Sequence, residues 1–507
     1  MLSLYLIAIL ISVAALGGWI YNRGNEKLEK KFRLALFAGL GIYLVSIFAI
    51  PAALDQKMGV VFRDLLVIGL SSAVFFYIAR FKKLFFVFLA LIVGGIWLFY
   101  KTKWLRSFQS TTDTITLSQD GELLVELKEN QQIAVLDDLV KKYGLSTRPA
   151  FDLIRTNDTD LDDYFLVDVS DQYEDDLVEI KQALMESGLV DWVEENEVLK
   201  VKPIKAKRTP SINKKFGIND PGLDQLWGFE RMEMDQLYNY LRENDLKPKK
   251  KALIAILDTG VDAKHEDIKA NFTSIKKKYN NDPKGHGTHC AGIAAAVSNN
   301  GVGVASFSHN NAFVKVTSIK VLNSSGMGTQ RGIIQGIIEA ADNGAAVISM
   351  SLGGRSNQSK QTAYEKAVQY ANDAGAVVIA AAGNSNRNAK DYAPVNAKGI
   401  IGVSAIDADL NRAVFSNYVS DIPMGVAAPG VNIYSTIPGD KYASFNGTSM
   451  ATPYVAGLVG LMKSLTPELT TAEVYQILDQ SGKGTKSTDQ TGKLIYPAEA
   501  VKVLVEK

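Results

Sequence analysis

Cysteine is almost absent from this 507-residue chain: Cys290 stands alone, which excludes an internal disulfide framework and any cysteine-rich metal site. That scarcity does not exclude an extracytoplasmic location; it means only that oxidation does not hold the fold together. Histidine is scarce too, with four residues at 265, 286, 289 and 309. His286 and His289 are spaced to share a helix face, but no third ligand cluster stands near them, which argues against a catalytic metal. Charge is balanced, with 55 basic against 54 acidic residues, so no global field points to nucleic acid. Asp-Thr-Gly occurs once, at Asp258, without a second copy or an Asp-Ser-Gly. A proton-sharing pair of aspartates is therefore excluded.

What the first hundred residues have in excess is apolar length. Four runs stand out, at Leu2–Tyr21, Leu34–Leu54, Leu65–Ala79 and Leu84–Tyr100. A bilayer core of about 30 Å needs about 20 helical residues, so the expectation is a bundle of about four transmembrane helices over residues 1–105. Trp19, Tyr21, Trp97, Tyr100 and Trp104 sit near run ends, where amphipathic rings favour headgroups. Loop charges set an orientation: Arg23, Lys27, Lys30, Lys31 and Arg33 in the first loop, and Arg80, Lys82 and Lys83 in the third. The positive-inside rule then predicts an integral, multi-pass protein anchored in the lipid bilayer, with the chain after Tyr100 extracytoplasmic. The first run lacks a preceding basic residue and a small-residue cleavage site, so it reads as a retained helix.

Residues 112–205 are soluble in character and acidic, especially at Asp158–Asp163 and Asp171–Glu179. Strand-like Gly121–Lys128, helical Gln131–Tyr143, strand-like Tyr164–Val169, helical Glu174–Glu186 and Val190–Val201 give an α+β module of βαββαβ order. A basic linker, 206–215, leads to a final unit at 216–507. There Ala252–Leu257, Phe313–Val321, Ala345–Met350, Ala376–Ala382 and Ile400–Ala405 are apolar strands alternating with helical patterns. That alternation predicts an α/β domain with a mostly parallel sheet covered by helices, and ligands beyond the carboxyl ends of its strands.

Chemistry concentrates in the final unit. A serine hydroxyl needs a base, and an imidazole suits that work near neutral pH. His286 lies between two glycines in Gly285-His286-Gly287-Thr288-His289; Asp258 follows a strand and can hold the ring in one tautomer. Ser449, in Gly447-Thr448-Ser449-Met450-Ala451-Thr452-Pro453, precedes an apolar helix whose first N–H groups are free to meet an oxyanion. Asn384, in Ala382-Gly383-Asn384, offers a second, side-chain donor.

These four blocks, in this order, resemble the subtilisin family of serine peptidases over about residues 219–497, with details shared by the proteinase K and thermitase branches. The resemblance implies Asp258, His286 and Ser449 as the triad and Asn384 as oxyanion donor, without a cofactor for the chemistry. It implies polypeptide substrates lying between an edge that includes Gly326, Met327 and Gly328 and another formed by Ser351, Leu352 and Gly353, as an added strand. Asp391 matches the floor of the pocket for the residue before the cut, and Cys290 stands where the proteinase K branch carries cysteine. A structural Ca²⁺ is implied on Asp220, Asp267 and Asn300 with carbonyls of Val297, Val302 and Val304. The acidic module resembles an inhibitory propeptide, which makes the chain a self-processing zymogen with cleavage near Pro203–Lys215. The competing, non-enzymatic reading is a membrane sensor or transporter whose outer domain only binds peptide.

Overall fold

The computed structural model describes residues 2–48, 54–82, 84–99, 116–128, 131–154, 159–170, 173, 176–200, 204–205, 215–356 and 362–506. Contacts divide the chain into two compact units, Met1–Thr114 and Ile115–Lys507.

The first unit is helical: α1 (Leu2–Tyr21), α2 (Glu26–Phe48), α3 (Leu54–Ile78) and α4 (Phe85–Phe99). Val13, Leu16, Ile20, Leu36, Phe75 and Phe85 form its core. The helices coincide with the apolar runs, but the membrane expectation is corrected. Among the described residues no helix is long and apolar enough to cross a membrane. In three of the four helices the reason is visible. α2 begins with Glu26, Lys27, Glu29, Lys30, Lys31 and Arg33, and the sequence of α3 carries Asp55, Lys57, Arg63 and Asp64. α4 has 15 residues, about 22 Å at 1.5 Å per residue against the roughly 30 Å needed. Polar side chains also pair inside the unit: Tyr43 donates to the buried Asp64 at 3.0 Å, and the Trp19 indole to Glu29 at 3.1 Å. The integral multi-pass location is thereby overturned, and the bilayer partner and the orientation drawn from loop charges lose their basis. Trp104, the end of the second run and most of the linker 206–215 lie outside the described residues.

The second unit opens with β1 (Thr116–Leu117), β2 (Leu123–Leu127), α5 (Asp137–Tyr143), β3 (Ser146–Pro149), β4 (Tyr164–Asp168), α6 (Leu177–Glu186), β5 (Val190–Glu195), β6 (Glu197–Lys200) and β7 (Ile204–Lys205). Four of these make an antiparallel sheet of order β3-β4-β2-β5. Side chains alternate across it, as a pleated strand requires. Leu123 and Val125 pack under Ile180 and Leu184 of α6, whereas Leu124, Tyr164 and Leu166 enter a core shared with the helices that follow.

The larger sheet consists of β8 (Ala252–Asp258), β9 (Val314–Lys320), β11 (Val347–Met350), β13 (Val377–Ala381), β15 (Ile400–Ile406), β16 (Gly425–Pro429) and β19 (Lys493–Leu494). Its order is β19-β16-β15-β13-β11-β8-β9 and every pairing is parallel. A parallel sheet needs both faces covered, and successive residues divide between two cores. Ile254 and Ile256 join the core with helices α7 (His286–Ala295) and α10 (Thr448–Leu465). Ala255 and Leu257 join the other, with α8 (Gln330–Asp342) and α9 (Thr362–Asp373). Shorter strands β10 (Met327–Thr329), β12 (Gly354–Arg355), β14 (Tyr392–Ala393), β17 (Ile433–Ile437) and β18 (Lys441–Asn446) form small separate sheets. α7 lies unusually close to the turn after β8. A β-carbon on Gly287 would sit 2.1 Å from the carbonyl oxygen of Gly260, so only glycine fits there.

Candidate active site

Asp258 is the last residue of β8 and His286 the first of α7, and both are fully buried. The two carboxylate oxygens of Asp258 lie 2.8 and 2.9 Å from His286 Nδ1. A carboxylate only accepts, so the proton belongs on Nδ1 and Nε2 is left as an acceptor. Nε2 is buried and has no hydrogen-bond partner among the described residues. Ser449, second in α10 and 7% exposed, does not fill that gap. Its hydroxyl donates to the carbonyl of Ser351 at 3.0 Å, while its own carbonyl accepts from Ser351 Oγ at 2.7 Å. The structure therefore shows the acid–imidazole pair formed and the serine–imidazole bond unmade. Rotation about χ1 moves Oγ without moving backbone, and such bonds are often loose before substrate arrives.

Asn384, three residues beyond β13, is aimed by Thr448. Its Oδ1 accepts from the Thr448 amide at 2.9 Å and the Thr448 hydroxyl at 3.0 Å. An amide N–H can only donate, which fixes Oδ1 on that side and turns Nδ2 away from it. Thr448 Oγ1 in turn accepts from Gly383 N at 3.1 Å. The loop is pinned by buried Asn417, which donates to Ala382 O at 2.8 Å and accepts from Ser385 N at 3.0 Å and Arg387 N at 2.9 Å. Asn417, Thr448 and Asp282, which holds the start of α7, were missed by sequence reasoning. Only Asp282 carried a signal, in the turn-forming Asn281-Asp282-Pro283 just before Gly285.

His289, on the same helix as His286, is engaged elsewhere. His289 donates to the carbonyl of Ala443 at 3.0 Å and stacks on Phe445, and burial pushes its imidazole down to about 3. Cys290 has its sulfur within 4.8 Å of ligand atoms of both Asp258 and His286. Burial, with the Asp258 charge adding, pushes the thiol well above its usual range. Asp258 and His286 are bonded to each other, so this cluster reads as their pair with a thiol beneath it.

The segments expected to flank substrate are already engaged. β10, which includes Met327 and Gly328, pairs antiparallel with β6, Gly328 opposite Leu199. Leu199 is buried, and a β-carbon on Gly354 would stand 2.9 Å from it. Leu352 is buried beside Ser351, and Gly354 pairs with Ala393. Asp391 is exposed, with its backbone carbonyl accepting from Ser356 N at 3.1 Å.

Asp220 and Asp267 are both buried. Asp220 accepts from Asn299 N at 2.7 Å and Asn300 N at 3.2 Å; Asp267 accepts from Asn300 Nδ2 at 2.9 Å and Val304 N at 2.7 Å. Burial raises both carboxyls, Asp267 to about 8 with the Asp220 charge adding to it. No basic side chain is bonded to either among the described residues. The main-chain amide of Val297 donates to Asp267 O at 2.8 Å, and that of Val302 to Asn300 Oδ1 at 2.9 Å.

Comparison with known proteins agrees with this geometry. Residues 249–493 match the family model described as the subtilase family. The chain is 43% identical over 255 residues to subtilisin DY of Bacillus licheniformis, covering 49% of this chain and 89% of that protein. It is 42% identical over 252 residues to thermitase of Thermoactinomyces vulgaris, covering 48% and 85%. Among solved structures, a protease from Pseudoalteromonas arctica PAMC 21717 matches with a TM-score of 0.50 at 30% identity, covering 57% of this chain and 99% of that one. An acid at one strand end, an imidazole at a helix start and a serine at another are thus found in a chain that belongs to the subtilase family of serine peptidases.

Proposed function

We propose that Ser449 is the nucleophile of this serine endopeptidase, with His286 as its base and Asp258 holding the imidazole. The observation that carries the assignment is the buried Asp258–His286 pair, bonded at 2.8 and 2.9 Å with Nε2 unpartnered beside the serine helix. In the attack Ser449 Oγ passes its proton to Nε2 and bonds to the peptide carbonyl carbon. Asp258 stabilises the imidazolium that results. The oxyanion meets Asn384 Nδ2 and the free N–H of Ser449 at the start of α10, and the imidazolium then protonates the leaving amine. Water repeats the sequence to release the acyl group. Labelling by a fluorophosphonate, lost in Ser449→Ala, tests the nucleophile. Labelling that survives the substitution sinks it.

We further propose that the chain is made as a zymogen inhibited by its own β2–β6 module. Two pairings support this. β6 lies antiparallel on β10, the edge where a substrate strand is expected, and β7 lies antiparallel on β18, with Ile204 opposite Asn446, three residues before Ser449. Docking is polar as well as apolar. Buried Glu194 accepts from Gln330 Nε2 at 2.9 Å and Ala363 N at 3.1 Å, and Asn196 Oδ1 accepts from Arg331 N at 2.9 Å. Two of these contacts satisfy amides at the amino ends of α9 and α8, Ala363 N and Arg331 N, which lack partners within their helices. N-terminal sequencing of purified protein beside its Ser449→Ala form tests self-processing. A mature start after residue 200 in the wild type alone is expected, and identical intact chains in both refute it.

Asp220 and Asp267, buried and mutually repelling, form with Asn300 a hard-oxygen set that fits Ca²⁺. We assign them a structural rather than catalytic ion, with carbonyls of Val297, Val302 and Val304 completing the shell.

A further inference from the structure

We propose that Asp282 is a second carboxylate of the catalytic assembly, a positioning residue that acts on the Asp258–His286 pair through Thr259. The inference rests on the triad reading above. Asp282 lies in the loop that leads into α7 and is 5% exposed, with no basic side chain paired to it among the described residues. Its oxygens accept five hydrogen bonds instead. Oδ1 takes Thr259 Oγ1 at 2.7 Å, Lys284 N at 3.1 Å and Gly285 N at 2.8 Å. Oδ2 takes Thr288 N at 2.8 Å and Thr288 Oγ1 at 2.8 Å. All five are donors, so the site is built for an acceptor-only group.

Four of these bonds have an ordinary explanation: three satisfy N–H groups at or just before the start of a helix, which lack partners there, and the fourth, from the Thr288 hydroxyl, belongs to the same first turn. The fifth has none of that kind. Thr259 follows Asp258 directly, and its hydroxyl stands between two carboxylates: 2.7 Å from Asp282 Oδ1 and 3.1 Å from Asp258 Oδ1. The hydroxyl has one proton, and the shorter contact assigns it to Asp282. The same oxygen accepts from Gly287 N at 3.1 Å. Asp258 Oδ1 is then left with the Thr259 amide at 2.7 Å and the imidazole at 2.8 Å.

Two consequences follow. Mechanically, Asp282 ties the turn after β8 to the first turn of α7, the two elements that carry Asp258 and His286. Electrostatically, it keeps the Thr259 proton off Asp258, so that less of the Asp258 charge is spent on a hydroxyl and more faces the ring. It also adds a second negative charge behind an imidazole that must become positive. Other groups near the pair do not substitute for it. Cys290 is held as a neutral thiol by burial, and His289 is held neutral in the same way. The Asp262 carboxylate turns away to Gly439 N at 2.9 Å and Lys264 N at 3.1 Å. Lys320 from the end of β9 points to Asn281 at 3.1 Å.

The test is steady-state hydrolysis of a fluorogenic peptide across pH by wild type, Asp282→Asn, Thr259→Val and Thr259→Ser, matched in processed state by N-terminal sequencing. Small displacements of catalytic groups cost up to about 100-fold. For Asp282→Asn a fall in kcat of about 10- to 100-fold is expected, with KM changed far less and the acid limb of kcat/KM moved to lower pH. Thr259→Val should lower kcat in the same way, and Thr259→Ser, which keeps the hydroxyl, should restore most of it. The double variant should be no worse than the worse single one, because both cut one connection. An unmoved acid limb, with kcat loss that merely tracks a fall in melting temperature, overturns the proposal and leaves Asp282 as a helix cap. If Asp282→Asn does not fold, the Thr259 pair decides alone. Failure of the triad reading looks different, since Ser449→Ala would then retain activity.

Discussion

Replacing Thr448 by valine tests how the proposed oxyanion donor, Asn384, is aimed. The change is nearly isosteric at a fully buried site and removes one hydroxyl. That hydroxyl donates to Asn384 Oδ1 at 3.0 Å and accepts from Gly383 N at 3.1 Å. The Thr448 amide, 2.9 Å from the same Oδ1, survives the substitution, so the Asn384 side chain keeps its orientation but loses one of two restraints. Stability should fall by about 1–3 kcal/mol, the cost of leaving the Gly383 N–H without an acceptor. A loosened donor should cost about tenfold in kcat, equivalent to about 1.4 kcal/mol. Deleting the donor altogether, Asn384→Ala, should cost about 10²–10³, the size such deletions have in oxyanion holes of serine peptidases. The informative measurement is the double variant. If Thr448 works only through Asn384, adding Thr448→Val to Asn384→Ala should leave kcat where it was. A further tenfold loss in that background would show that Thr448 acts on Ser449 by some other route, and the account of the aimed amide fails.

Glu194, buried where the β2–β6 module meets α8 and α9, has its carboxyl pushed up to about 8, mainly by burial. A carboxyl raised in the folded state binds a proton that the unfolded chain has released, so stability should fall as pH rises from about 4.5 towards 8. Melting of Ser449→Ala protein across that range should show the slope and Glu194→Gln should flatten it; equal slopes would count against the prediction. A mercurial should inhibit through Cys290, whose sulfur lies within 4.8 Å of the Asp258 and His286 ligand atoms. Inhibition should vanish in Cys290→Ala, and its persistence would place the reactive group elsewhere. Excess chelator should lower the melting temperature of Ser449→Ala protein, with Ca²⁺ restoring it and Asp267→Asn abolishing the response. An unchanged melting curve would remove the proposed ion.

The catalytic fold was legible where residue type alone decides the outcome. Strands β8, β11, β13 and β15 are dominated by apolar residues, interrupted only by small residues or by the terminal Asp258, the mark of strands buried on both faces. β16 and β19 escaped notice because Gly425-Val426-Ala427-Ala428-Pro429 is small rather than strongly apolar and Lys493-Leu494 is too short to show a pattern. At the site, the motif residues could be read but their supports could not. Asn417 and Thr448 act through side-chain bonds to loops distant in sequence, and nothing in an isolated Asn or Thr announces such a partner. At the amino end the error ran the other way. The apolar runs are genuine helices, but their length was judged without the charged turns Glu26–Arg33 and Leu54–Asp64, which belong to the same helices.

In the proposed zymogen, the strand laid along β10 belongs to the same covalent chain as the groove it would fill. Its local concentration is therefore set by the connecting residues and not by the amount of protein present, so an intact chain should remain equally latent whether dilute or crowded. Once the connection is severed the contact becomes bimolecular, and dilution alone begins to free the groove.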